Sequence, residues 1–135
     1  MILGLGNWMY LKYWGISLVV LLPMHTQAIG YSSDYLSCMN SAGSSSATLA
    51  SCMKTELSKQ DDRLKSLFKQ TLDLYTDKQQ KAQKKYQKQW FKLRDQQCDE
   101  SNKSVSDDYK MKYYNCALKQ TVNRANMLEK QSYRL

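Results

Sequence analysis

An all-α fold is predicted by three features of the chain. Apolar residues recur at threes and fours over long stretches, no stretch sustains the period-two alternation of a strand, and helix breakers are scarce after residue 28. The single proline is Pro23 and there are only five glycines in 135 residues, which favours long uninterrupted helices. The expected architecture is a small antiparallel helical bundle, a short leading helix followed by three longer ones, stapled by two disulfides.

Residues 1–28 read as a secretion signal, leaving 29–135 as the folded domain. Lys12 supplies the positive charge, Gly15 to Met24 (GISLVVLLPM) the short apolar stretch, and Thr26-Gln27-Ala28 the cleavage site, with cleavage after Ala28 favoured over Gly30. The apolar run is well short of the roughly 20 residues that a spanning helix needs. No cysteine stands at the cleavage point, which speaks against a lipoprotein. The stretch before Lys12 is long and nearly uncharged, so Met9 is a candidate start. Removal of 1–28 takes away Lys12, Pro23 and the sole histidine, His25, leaving 19 basic against 12 acidic residues and a net charge of +7.

The elements follow in order. Asp34 can cap a short helix over Tyr35 to Ala42. Gly43-Ser44-Ser45-Ser46 forms a turn, with Gly43 suited to a left-handed position and a serine to capping the next helix. Leu49, Met53, Leu57, Leu64, Leu67, Phe68, Leu72 and Tyr75 then mark one long amphipathic helix. Thr76-Asp77 is a break and cap. A third helix is expected from about Lys78 through Cys98, with Ala82, Tyr86, Trp90 and Leu93 facing inward. Asp99 to Asp107 (DESNKSVSD) is a polar loop, and a last helix from about Asp108 to Gln131 carries Met111, Tyr114, Leu118, Val122, Ala125 and Leu128 on one face.

Four cysteines, Cys38, Cys52, Cys98 and Cys116, follow the signal. An even number in an exported chain reads as two disulfides with three connectivities open. Their spacings of 14, 46 and 18 contain no Cys-x-x-Cys, which speaks against a zinc site or a thioredoxin-type redox centre. Cys38 and Cys52 flank the glycine-serine turn, and Cys98 and Cys116 flank the second polar loop. The turns therefore point to Cys38–Cys52 and Cys98–Cys116.

Taken together, Tyr35, Cys38, Ala42, Gly43, Cys52 and Glu56, then Asp62 and Leu64, then Gln87, Trp90, Arg94, Asp95 and Cys98, then Cys116, Thr121, Arg124 and Leu128 form a pattern. It resembles the LprI-type lysozyme inhibitor family, small secreted bacterial helical proteins, over about residues 35 to 128. The sequence departs from that family at Lys65, where many members have asparagine, at Phe68, where they have tyrosine, and after Cys98, where paired glycines are common. The resemblance implies a periplasmic or surface-exposed protein that binds and inhibits lysozyme.

Within this frame, Gln87, Trp90, Arg94, Asp95, Thr121 and Arg124 are read as structural signature residues. Trp90, Arg94 and Cys98 fall at i, i+4 and i+8 and share a helix face. Trp90 is expected in the core with Arg94 stacked on it, and Asp95 is expected to pair with Arg124. The lysine-rich run Lys78 to Lys92 reads as a solvated face with its charges spread around the helix. Export removes nucleic acid as a partner but leaves weak association with anionic envelope surfaces.

Catalysis, cofactors and metals find no support. The mature chain has no imidazole, no glycine-rich phosphate loop and no nucleophile elbow. Asp61-Asp62 and Asp107-Asp108 are sequence neighbours that point to different sides of a helix, and so read as solvated or capping groups and not as a glycosidase pair. For a protein partner the candidate contacts are Asp99, Glu100, Asp107 and Asp108, with Tyr109 and Tyr113, at i and i+4, read either as packed against the neighbouring helix or as an exposed aromatic pair that adds to the contact. Typical animal lysozymes are strongly basic, so a net charge of +7 disfavours encounter unless such local acids make the contact.

Overall fold

The structure, a computed structural model, describes residues 30–133. Over these it is all-helical: α1 (Ser33–Ser41), α2 (Ser46–Leu72), α3 (Asp77–Gln97), a 3-10 turn (Glu100–Asn102) and α4 (Asp107–Ser132). The expected signal peptide and its cleavage after Ala28 lie outside the described residues. Among the described residues, no helix is long and apolar enough to cross a membrane.

Each helix starts where side-chain chemistry satisfies the open backbone donors of its first turn. The Ser32, Ser45 and Ser106 hydroxyls accept from the backbone N–H of Tyr35, Thr48 and Tyr109. The Thr76 N–H donates to Gln79 Oε1 at 3.0 Å. The cap of α1 is thus Ser32 and not Asp34, because Ser32 is itself held by Glu56 of α2. Asp34 sits in the first turn, where it pairs with Lys59 at 2.7 Å. Gly43 takes the left-handed conformation (φ +59°) that the turn after α1 requires.

Both disulfides join consecutive helices as expected: Cys38–Cys52 ties α1 to α2, and Cys98–Cys116 ties the end of α3 to α4. Consecutive helices therefore run antiparallel, which makes α2 and α4 parallel neighbours. Their register shows in three cross-links: Ser46 to Asp108, Asp61 to Thr121, and Arg63 to Asn126 and Glu129. The core lies along this pair. Met53 and Leu57 of α2 pack with Tyr113, Ala117, Leu118 and Val122 of α4 and with Cys98. Further along, Leu64 packs with Ala125 and Leu128, flanked by Leu67, Phe68, Trp90 and Phe91. Ala117 and Ala125 are wholly buried, and their small side chains let the two helices approach closely.

Helix α3 corrects the expected stripe. Ala82, Tyr86 and Leu93 are exposed, and the buried positions are Gln87 and Arg94, with Trp90 and Phe91 half-buried. Counting back from Cys98 by four, three and four residues gives Arg94, Phe91 and Gln87, so the disulfide dictates which face turns inward. The Ala82–Tyr86–Leu93 stripe lies about 130° round the helix from that face. The aromatic pair is corrected too. Tyr113 is only 5% exposed and belongs to the core, which removes it as a surface contact. Its burial is tolerated because its hydroxyl finds a carboxylate, as a buried phenol needs. Tyr114, expected in the core, is half-buried against it, edge-to-face at 5.1 Å between ring centroids.

Candidate functional site

The signature residues converge on one side chain. Arg94, buried on the inner face of α3, reaches both core helices. Its Nη1 donates to Asp61 Oδ1 of α2 at 2.7 Å and to Thr121 Oγ1 of α4 at 2.9 Å, and its Nε donates to Asp95 Oδ1 at 2.8 Å. The guanidinium lies 4.9 Å from the Phe91 ring centroid and 5.7 Å from that of Trp90. Burial alone would lower its pKa, but the hydrogen bond to Asp95 and the field of Asp61 outweigh this and hold it above the ordinary value. Tyr113 completes the cluster by donating to Asp95 Oδ1 at 3.1 Å.

Arg124 is engaged differently from the expectation. Its Nε donates to Gln87 Oε1 at 2.8 Å and its guanidinium lies 5.0 Å from the Trp90 centroid, so it makes no pair with Asp95. Desolvation lowers its pKa, consistent with a cation that has a neutral amide and a ring as neighbours. Trp90 thus carries two guanidiniums over its ring, from Arg94 and Arg124. The buried Gln87 Nε2 has no hydrogen-bond partner among the described residues.

Asp61 is the residue that the sequence reading missed. It is not a solvated surface acid but a ligand of Arg94. The signal was its position: it stands four residues after Leu57 and three before Leu64, on the stripe that faces α4. Glu56 and Gln60 obey the same rule on the adjacent stripe. Glu56 is buried and accepts from the Ser32 N–H at 2.8 Å, from the Ser32 hydroxyl, and from Gln60 Nε2 at 2.8 Å. Gln60 Nε2 also donates to the Gly30 carbonyl at 3.0 Å, so Glu56 and Gln60 together hold the chain leading into α1.

Beyond Cys98 the acidic loop emerges at the surface. Asp99 adopts a left-handed conformation (φ 62°), which an aspartate tolerates better than most residues. Its carboxylate accepts from Asn102 Nδ2 at 3.0 and 2.9 Å, fastening the 3-10 turn. Glu100 pairs with Lys103 at 2.6 Å. Next to the turn lies a groove of about 440 Å³ lined by Lys92, Asp95, Gln96, Glu100 and Ser101. Asp95 therefore has two surroundings: Oδ1 takes the bonds from Arg94 and Tyr113, while the carboxylate as a whole borders the groove. Asp107 pairs with Lys110 at 2.9 Å, and Asp108 accepts from the Ser46 hydroxyl, so both serve the start of α4. Tyr109 is exposed, with Lys112 5.5 Å from its ring centroid. Of the candidate contacts, Glu100 borders the groove, Asp99 caps the adjoining turn, Asp107, Asp108 and Tyr109 lie in the first turn of α4, and Tyr113 is interior.

Fold and cluster define a disulfide-stapled helical scaffold whose buried charges join its helices, with an acid-rimmed groove beside the second staple. The chain belongs to the family described as Lysozyme inhibitor LprI, whose profile matches residues 38–128. Comparison with curated proteins found no match, and comparison with solved structures found none either. The family match begins at the first cysteine and takes in both disulfides and every member of the Arg94 and Arg124 clusters.

Proposed function

We propose that this protein is an exported, non-enzymatic inhibitor that binds lysozyme through the acid-rimmed groove beside Cys98–Cys116. The observation that carries the reading is the family match over residues 38–128. Two disulfides and the predicted signal at 1–28 support export, since such bonds persist in oxidising compartments. A binding role fits the chemistry of the chain. Its sole histidine lies in the predicted signal, and the buried carboxylates Glu56 and Asp61 are engaged in holding helices together.

The groove offers an answer to the charge conflict. Most of the basic excess of this domain sits on α3 between Lys78 and Lys92, whereas Asp95, Asp99 and Glu100 gather at the other end of that helix. Binding of a basic partner there is locally attractive although the net charges repel. Purified oxidised protein should abolish cell-wall lysis by a chicken-type or a goose-type lysozyme at stoichiometric ratios. Asp99→Asn/Glu100→Gln should weaken inhibition about tenfold, mostly through slower association. Unchanged lysis with both lysozyme classes would sink the reading, and full inhibition by the double variant would move the contact elsewhere.

A further inference from the structure

The lysines of α3 are not spread around the helix, as the sequence reading held. Lys78, Lys81, Lys84, Lys85, Lys88 and Lys92 are all exposed, and at 100° per residue they fall within an arc of about 120° whose centre lies about 110° round the helix from the inward face. Five of them follow the spacing i, i+3, i+7, i+10, i+14 and form a straight row about 21 Å long. No acidic residue lies between Asp77 and Asp95. Among the described residues, none of the six is within ion-pair distance of a carboxylate, although six other cations of the domain are. Like charges at i, i+3 and i, i+4 oppose the helix that carries them. An uncompensated arc of six is therefore a feature that an external anion would relieve.

We infer that this row is a docking surface for an extended anionic polysaccharide. The arc contains no apolar or aromatic residue, so it lacks the wedge that anchors an interfacial helix in a membrane and the rings on which bases stack. It also lacks the aromatic anchors of a protein interface and the planar arginine forks suited to phosphate. What it offers is one point charge about every 5 Å along a line, the pattern that a polymer with one carboxylate on each sugar can meet. The row meets the groove proposed for lysozyme only at Lys92, and the variants that test the two surfaces share no residue, so either reading can fail alone.

Titration of the purified oxidised protein with polygalacturonate tests this, with single-stranded DNA and anionic phospholipid vesicles compared at matched charge. Lys81→Gln/Lys85→Gln/Lys88→Gln should weaken polygalacturonate binding about tenfold and reduce the salt dependence by two to three ions. A control of equal charge loss at exposed sites elsewhere, Lys54→Gln/Lys119→Gln/Lys130→Gln, should cost less than about threefold. Amide shift mapping on the unmutated protein should place the perturbed signals in residues 78–92. Equal losses in the two variants, perturbations outside α3, or tighter binding to DNA or vesicles than to polygalacturonate would overturn the proposal.

Discussion

Glu56 and Arg94 are both about as buried as charged residues become, at 1% and 5% exposed, and each lies close to one of the two disulfides. Their surroundings differ in kind. Glu56 is an anion satisfied by the neutral donors of Ser32 and Gln60 and fixes only the segment entering α1. Arg94 is a cation between two carboxylates, one from α2 and one from its own helix, with a hydroxyl from α4. The first clamp is local, because α1 buries none of its own residues. The second is global, because α3 contributes little apolar surface and meets the core through Gln87, Arg94 and the two aromatics. A buried ion pair is weak evidence of net stability, but removing one partner of it is costly. Loss of the first clamp should therefore loosen one segment, and loss of the second the whole domain.

Arg94→Ala carries the largest expected loss, about 3–5 kcal/mol, because it leaves Asp61 and Asp95 facing each other without their cation. In a domain of this size the melting temperature should fall by more than about 10 °C. A loss below about 1 kcal/mol in denaturant titration would show that α3 is held by its disulfide alone.

The disulfides come next. The loops they close are 14 and 18 residues long, so chain entropy predicts nearly equal losses of about 3 kcal/mol for Cys38→Ser/Cys52→Ser and Cys98→Ser/Cys116→Ser. Any excess in the second pair reports coupling to Arg94, one turn before Cys98. A double-mutant cycle with Arg94→Ala measures it, and strict additivity would separate clamp from staple.

Glu56→Gln should cost about 1–2 kcal/mol, since the amide oxygen can accept from the Ser32 N–H and Gln60 but the amide nitrogen cannot accept from the Ser32 hydroxyl as the second carboxylate oxygen does. The effect should stay local. Hydrogen exchange should quicken in α1 while α2 and α4 keep their protection. Equal loosening throughout the domain would erase the distinction between the clamps.

Much of this architecture is legible in the sequence. The helix breaks at Gly43 and Thr76, the long α2 and α4, and the disulfide pairing all follow from local rules of capping, period and loop position. The rotation of α3 is not. Sequence periodicity assumes that apolar residues face inward, and on α3 the inward residues are largely polar, so Tyr86 and Leu93 drew the eye away from Gln87 and Arg94. Asp61 was missed for the same reason: an acid on an apolar stripe shows its meaning only when a cation from a distant helix is known to reach it. Tyr113 was misplaced because its burial depends on Asp95, eighteen residues away on another helix.

Tyr113→Phe is the mildest variant and the most discriminating in its pH dependence. At neutral pH it should cost about 1 kcal/mol, the worth of the bond to Asp95. Burial, and next the negative charge of Asp95, push the Tyr113 phenol far above its ordinary value of about 10. The neutral phenol is the form that the fold requires. Its contribution is therefore complete below pH about 10, where the unfolded phenol is also protonated, and is lost as pH rises towards the folded-state value. The unmutated protein should destabilise steeply in that alkaline window, and Tyr113→Phe should flatten the slope. Tyr35 is also raised, first by burial and then by Tyr31 and Glu56, but it is only half-buried and borders the local clamp. Tyr35→Phe should therefore leave most of the slope in place. If Tyr35→Phe flattened it as much, the α1 clamp would carry as much of the global stability as Arg94 does.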